Sequence, residues 1–199
     1  MAVEAPRARL TFLPNRKELS MSAPAFSILL DGKDLTFTAR HSITLSLPEK
    51  GLVVEPFHEH QFRVTAQIRG ALNDEGLLID FHAAHAILKE ILNDCHRKVF
   101  LAENQKGVEM TRESNRVRAE FTATDPHTGI ETGERLTVPA EQAVLLPGVN
   151  ASAELIALHI ASRYDEKLKA AGLIPAGAQE PLLTLTLEEN PGMKAVVTL

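Results

Sequence analysis

The feature that most constrains the fold is a pair of neighbouring segments in which apolar and polar residues alternate. The first covers residues 37–47 and the second residues 58–69, and a turn sequence at residues 48–51 follows the first. Strict alternation is typical of a strand that buries one face. Two such strands joined by a modest loop predict an antiparallel pair.

Three histidines occupy apolar positions of these two strands. His41 belongs to the apolar phase of the first run, and His58 and His60 belong to that of the second. Side chains two residues apart on a strand point to the same side. Three neutral imidazoles that converge from adjacent strands match a catalytic zinc site, which uses three protein ligands and leaves one position open. The alternative is that each is a core histidine satisfied by hydrogen bonds.

Two later segments predict amphipathic helices. Residues 81–98 repeat apolar side chains at helical spacing. The second helix is expected to begin near Asn150 or Ser152, which are both good N-caps, and to run to about Ala171, with Gly172 closing it.

The remaining segments complete an α+β fold. Two final strands are expected at residues 183–189 and 194–199, on either side of an Asn-Pro-Gly turn. The predicted order is β-β-α-α-β-β, with residues 99–148 as a hairpin insertion between the helices. Residues 1–24 show no sustained period, so we expect a mobile or loosely docked arm followed by one domain at residues 25–199.

Two glutamates are candidates for chemistry. Glu189 shares the apolar face of its strand with leucines, and a buried carboxylate needs a cation or a ligand with hydrogen-bond donors. The alternative is a strand end at which Glu189 reaches solvent. Glu55 precedes the His58–His60 pair by three residues, where a carboxylate can serve as a general base beside the metal.

Several residues on the predicted helices have both structural and functional interpretations. Cys95 lies on the apolar stripe of the first helix as a small core residue, and His96 beside it is either a favourable C-terminal cation or an acid/base group. Glu154, in the first turn of the second helix, complements the helix dipole. His82 and His85 form a rival metal pair that lacks an obvious third ligand.

Composition excludes several classes of protein. The chain has 21 Lys and Arg against 26 Asp and Glu, a formal net charge of −5, which argues against nucleic acid as the main partner. The single cysteine excludes a disulfide framework. Because no apolar run approaches the length of a membrane span, we expect a cytoplasmic protein without a membrane partner.

Six motifs in this order resemble those of the 6-pyruvoyl-tetrahydropterin synthases and their relatives, the tunnelling-fold enzymes. They occur over about residues 36–199: Phe37-Thr-Ala-Arg-His41, His58-Glu-His60-Gln-Phe62, Gly76-Leu-Leu-Ile-Asp80-Phe81, Cys95-His96-Arg97, Asn150-Ala-Ser152-Ala-Glu154 and Glu189-Asn-Pro-Gly192. The resemblance implies an antiparallel four-stranded sheet with two helices on one face. It also implies a homo-oligomer, usually a hexamer, with its sites between subunits.

The resemblance also implies roles for individual residues. The three histidines correspond to the family's Zn²⁺ ligands, and Glu154 and Glu189 to the acidic residues that hold the pterin substrate, with Ser152 in the same motif as Glu154. His96 matches the histidine of the family's acid/base relay. Cys95 stands where the relay usually has an aspartate, so an orienting carboxylate for His96 would have to come from elsewhere.

One departure points to a sub-class of the family. Most members carry a catalytic cysteine shortly before the His-x-His motif, whereas this chain has Glu55 there, in the pattern Glu-x-x-His-x-His. Members of that sub-class convert dihydroneopterin triphosphate towards 6-hydroxymethyl-7,8-dihydropterin, a step of folate biosynthesis. The resemblance therefore implies a zinc-dependent lyase with Glu55 as base. The alternatives are 6-pyruvoyl-tetrahydropterin or 6-carboxytetrahydropterin synthase activity, and a paralogue that binds a pterin or metal without turnover.

Overall fold

The computed structural model describes residues 26–125, 127–174 and 183–199, and the predicted arm at residues 1–24 lies outside them. The strands and helices of the described residues follow in chain order: β1 (Phe26–Leu30), β2 (Thr36–His41), β3 (Thr44–Leu47), β4 (Gly51–Val54), β5 (His58–Gly70), α1 (Phe81–Cys95), β6 (Lys98–Ala102), β7 (Glu109–Glu113), β8 (Arg116–Thr124), β9 (Glu131–Pro139), β10 (Ala143–Leu146), α2 (Ala153–Ala170), β11 (Leu183–Asn190) and β12 (Met193–Thr198).

The centre of the fold is the antiparallel sheet β2-β5-β11-β12, which confirms the four strands predicted from the sequence. Three further strands enlarge it. Strand β6 pairs parallel with β2, and β10 pairs parallel with β6. Strand β1 pairs with the end of β5, so that β1 and β2 follow one another along the same edge of that long strand.

Both helices pack on one face of this sheet, as predicted. The sheet contributes large buried side chains such as Phe37 and Phe62, whose rings stack with centroids 5.0 Å apart. Helix α1 begins at Asp80, whose carboxylate accepts hydrogen bonds from two backbone amides of the first turn. The helices meet at Tyr164, a fully buried residue of α2 whose hydroxyl donates to the carbonyl of Ala84 in α1 over 3.0 Å.

The first alternating run is not one strand, as the sequence predicted. Strand β2 ends at His41, the chain bends at Ser42 and Ile43, and β3 pairs with β4 in a separate two-stranded sheet. The bend exists because side chains from distant segments bind its backbone. Gln105 donates to the carbonyl of Ser42, and Asn150 pairs with the backbone of Thr44.

The insertion between the helices is larger than the predicted hairpin. Strands β7, β8 and β9 form a three-stranded antiparallel sheet, while β6 and β10 on either side belong to the main sheet. A second hydrophobic cluster joins the two sheets. It includes Val99 and Leu101 from β6 and Val117 and Ala119 from β8.

Candidate metal centre and active site

Four side chains meet where β2, β5 and β11 come together. His41 is the last residue of β2 and pairs directly with His58 of β5, and His60 follows on the same face. Glu189 joins them from β11, at an irregularity of the strand between Glu188 and Asn190. One ligand atom from each of the four residues His41, His58, His60 and Glu189 lies within 4.8 Å of the others. His41 is buried and the other three are half-buried.

Backbone carbonyls fix the outer nitrogen of two of these histidines. Nδ1 of His41 lies 2.7 Å from the carbonyl oxygen of Ala151, and Nδ1 of His58 lies 2.9 Å from that of Pro56. Because a carbonyl oxygen only accepts, each Nδ1 carries a proton, and in the neutral ring the lone pair then lies on Nε2. This is the arrangement in which imidazole binds a metal through Nε2.

The inner nitrogen of His41 fits a bound cation. It is a buried atom without a hydrogen-bond partner among the described residues. Oε1 of Glu189 lies 2.9 Å away, in a contact that has the distance but not the geometry of a hydrogen bond. The same oxygen lies 3.4 Å from Nε2 of His60. In the neutral ring, the Nε2 lone pair and a carboxylate oxygen repel at such distances unless a cation lies between them, so the donors present fit a divalent metal ion.

The ionisation of the cluster also favours the metal-binding forms. Burial lowers the pKa of His60, although the charge of Glu189 opposes this shift. A neutral imidazole and an ionised carboxylate are the protonation states that bind metals.

Glu55 lies in the segment that enters this cluster. Its backbone N–H donates to the carbonyl of Ile43 over 2.9 Å, and its carbonyl accepts from the hydroxyl of Ser42 over 2.6 Å. These bonds hold the half-buried Glu55 beside the bend that follows His41, while the next residue, Pro56, provides the acceptor for His58. Glu55 therefore belongs to the same local structure as two of the three histidines.

Cys95 and His96 are not brought to the cluster within one chain. Cys95 is fully buried, and burial raises the pKa of its thiol to about 11. His96 is exposed, and its Nδ1 accepts a hydrogen bond of 3.1 Å from the backbone of Thr38. Thr38 and His41 are three residues apart on β2, or about 10 Å along an extended strand. Asp94 does not orient His96, because it pairs with Arg163 at 2.7 Å.

Ser152 and Glu154 lie at the start of α2, next to the carbonyl that binds His41. Ser152 is the N-cap residue, but its hydroxyl makes no cap hydrogen bond. Glu154 is exposed in the first turn. The N-terminus of α2 thus borders the cluster through Ala151. The rival pair on α1 forms no comparable group among the described residues, since His85 contacts Asp34 at 3.3 Å instead.

Sequence reasoning missed the residues that hold the cluster in place. The carbonyls of Ala151 and Pro56 carry no signal in the sequence, because every residue has one. Nothing in the sequence marks Gln105 as a buried polar residue. Asn150 is marked by the sequence as a helix cap and as part of a family motif, but not as a partner of Thr44. A polar residue that stays buried in a loop is detectable only when the structure shows its partners.

Comparison with known proteins places the chain in a family. Residues 32–198 match the family described as 6-pyruvoyl tetrahydropterin synthase. The chain belongs to this family. No curated protein sequence matches the chain significantly. Among the described residues, no helix combines the length and apolar character needed to cross a membrane.

Solved structures of similar fold include relatives from malaria parasites. The 6-pyruvoyltetrahydropterin synthase of Plasmodium vivax is 18% identical, with a TM-score of 0.69 over 89% of this chain and 99% of its own. A mutant of that enzyme, described as having a catalytic glutamate replaced by alanine, gives 19% identity, a TM-score of 0.70 and the same coverage. The Plasmodium falciparum enzyme is 18% identical, with a TM-score of 0.67 over 88% of this chain and 98% of its own. At these identities the likeness shows the fold, which is the tunnelling fold expected from the sequence.

Proposed function

We propose that this member of the family is a zinc-dependent lyase that cleaves the side chain of a dihydroneopterin-type substrate. The observation that carries the proposal is the buried, unpartnered Nε2 of His41, which faces His60 and the Glu189 carboxylate. His41, His58 and His60 would hold the zinc ion. Zinc is the proposed ion because three imidazoles with an open fourth position suit a catalytic zinc site.

The proposed substrate is dihydroneopterin triphosphate, and the proposed product is 6-hydroxymethyl-7,8-dihydropterin. Bound zinc would supply Lewis acidity to the hydroxyl groups of the substrate side chain. Glu55 takes the proton of the hydroxyl on the second side-chain carbon, and the bond between the first and second carbons breaks. The electron pair passes to the first carbon and the conjugated pterin ring, that carbon then gains a proton, and the second carbon leaves as an aldehyde.

The choice of Glu55 as base rests on its place in the chain. It lies three residues before His58 and is held by two backbone hydrogen bonds beside the bend after His41. The Plasmodium vivax mutant named above supports a glutamate in catalysis on this fold. The high pKa of buried Cys95 argues against the chain's single thiol as an alternative nucleophile or base.

The pterin ring is proposed to bind through carboxylates. The amino and ring N–H groups of a pterin form a donor edge for which a carboxylate is the natural acceptor. Glu189 is the proposed acceptor in the cluster, and Glu154 and Ser152 at the start of α2 complete the substrate contacts. Because Glu189 lies beside His41 and His60, a pterin held there would present its side chain to the metal.

A homo-oligomer, most simply a hexamer, is proposed to complete the site. Strands β10 and β12 are the two ends of the main strand order, and Met193 and Val196 of β12 are exposed apolar side chains. Edge strands of this kind pair readily with other chains. His96 is exposed and remote from the cluster of its own chain, so its proposed acid/base role requires a neighbouring subunit.

Product analysis after incubation with dihydroneopterin triphosphate tests the proposal. We expect 6-hydroxymethyl-7,8-dihydropterin from the metal-loaded wild-type chain and none from Glu55→Gln, which should retain its metal. Glu59→Gln is the matched control, because Glu59 is exposed between the two histidines on the opposite face of β5. A pyruvoyl or carboxy product would contradict the proposed reaction, and tight pterin binding without any product would contradict turnover.

A further inference from the structure

Asn150 joins the loop before α2 to the bend after His41. Its side-chain Oδ1 accepts a hydrogen bond of 2.9 Å from the backbone N–H of Thr44, and its Nδ2 donates one of 2.9 Å to the Thr44 carbonyl. The two residues are 106 positions apart in the chain. Only a side-chain amide both accepts and donates in this way, so aspartate at this position would lose the second bond.

The residue after Asn150 provides the hydrogen-bond acceptor of the first metal ligand. Ala151 is fully buried, and its carbonyl oxygen lies 2.7 Å from Nδ1 of His41. Thr44, which binds Asn150, lies three residues after His41, which contacts Ala151. Two neighbouring residues, Asn150 and Ala151, therefore contact two nearby positions, Thr44 and His41. These contacts fix the bend after His41 relative to the Ala151 carbonyl.

We propose that Asn150 is a positioning residue for the metal centre. By holding the Ala151 carbonyl against Nδ1, it keeps a His41 proton on that nitrogen and leaves Nε2 available to the metal ion that the cluster would hold. Partners of this kind beyond the ligands themselves typically change metal affinity by about 10- to 100-fold. The inference rests on the proposed metal site and adds to it a residue that touches neither metal nor substrate.

Gln105 also binds the bend after His41, so Asn150 is not its only attachment. The Gln105 amide nitrogen donates to the Ser42 carbonyl over 3.0 Å and to the Thr44 hydroxyl over 3.2 Å. Gln105 lies in the loop between β6 and β7, away from Asn150 in the chain. The bend therefore keeps a second attachment when Asn150 is altered. What Asn150→Asp loses is the bond from Nδ2 to the Thr44 carbonyl, one of the two bonds that tie the loop carrying Ala151 to the bend.

The test compares Asn150→Asp with Asn104→Asp. Asn104 is exposed, and its neighbouring contact to Gly148 is made by its backbone N–H, so the control makes the same chemical change without touching the Thr44 bonds. Zinc affinity is measured by competition with a chromophoric chelator, and the visible spectrum of the Co²⁺-loaded chains reports the ligand geometry. Thermal unfolding of the metal-free chains shows that each variant is folded.

We expect zinc binding to weaken about 10- to 100-fold in Asn150→Asp, with an altered Co²⁺ spectrum at saturation, and to stay within about twofold in Asn104→Asp. If Asn150→Asp does not fold, Asn150→Ala is measured in the same way. Unchanged affinity and an unchanged Co²⁺ spectrum in the folded Asn150 variant would overturn this inference alone. A wild-type chain that binds no metal would overturn the proposed function as well.

Discussion

The reactivity of Cys95 distinguishes two interpretations of this residue, a member of a catalytic relay and a buried core side chain. The family resemblance puts Cys95 at the position of an aspartate in a catalytic relay. In the structure, Cys95 is completely buried in α1. Burial raises the pKa of the thiol from 9.0 to about 11, against the partly opposing charge of Arg163. Two pKa units reduce the thiolate fraction about 100-fold, so that at pH 8 it falls from about one in ten to about one in a thousand.

Thiol labelling measures this reduction directly, because Cys95 is the only cysteine of the chain. We expect a chromogenic disulfide reagent at pH 8 to react with the native chain at least about 100-fold more slowly than with the chain in denaturant, since only the thiolate attacks. We also expect Cys95→Ala to keep full activity and metal content. Comparable labelling rates, or a large loss of activity in a folded, metal-loaded Cys95→Ala chain, would refute the reasoning.

Three further predictions follow from other parts of the structure. Glu55→Gln should lower kcat by about 10²- to 10⁴-fold without changing KM greatly, as steady-state kinetics will show. Tyr164→Phe should lower the free energy of unfolding by about 1 kcal/mol in denaturant titration, because the buried bond to Ala84 is lost. Burial lowers the pKa of His159, so its neutral form stabilises the fold above pH 6.5 and this stability is lost as the pH falls through the lowered value. His159→Leu should therefore reduce the fall in unfolding free energy between pH 7 and pH 5; an unchanged fall would contradict the assignment.

The elements that could be predicted from the sequence are those governed by local periodicity. Alternation placed His41, His58 and His60 on apolar strand faces, and parity placed Glu189 on the apolar face of its own strand, because a strand repeats every two residues wherever it lies. The N-cap at Asp80 is likewise local, because its carboxylate binds the backbone amides of residues two and three positions later. These features need no knowledge of distant partners.

The features that could not be predicted depend on contacts between distant segments. The break after His41 exists because Gln105 and Asn150 bind the backbone there, which no alternation pattern records. The parallel pairing of β6 with β2 follows from the path of the chain after α1. Strand β1 was missed because its residues are mostly exposed and do not alternate cleanly.

Metal content is the measurement that tests the central claim most directly. The wild-type chain, His58→Ala and the control His82→Ala, which changes an exposed histidine of α1, are purified under metal-replete conditions and analysed by elemental mass spectrometry. We expect about one zinc per chain in the wild type and in the control, and a large loss in His58→Ala. A wild-type chain without bound metal, or a His58→Ala chain that still holds one ion, would contradict it.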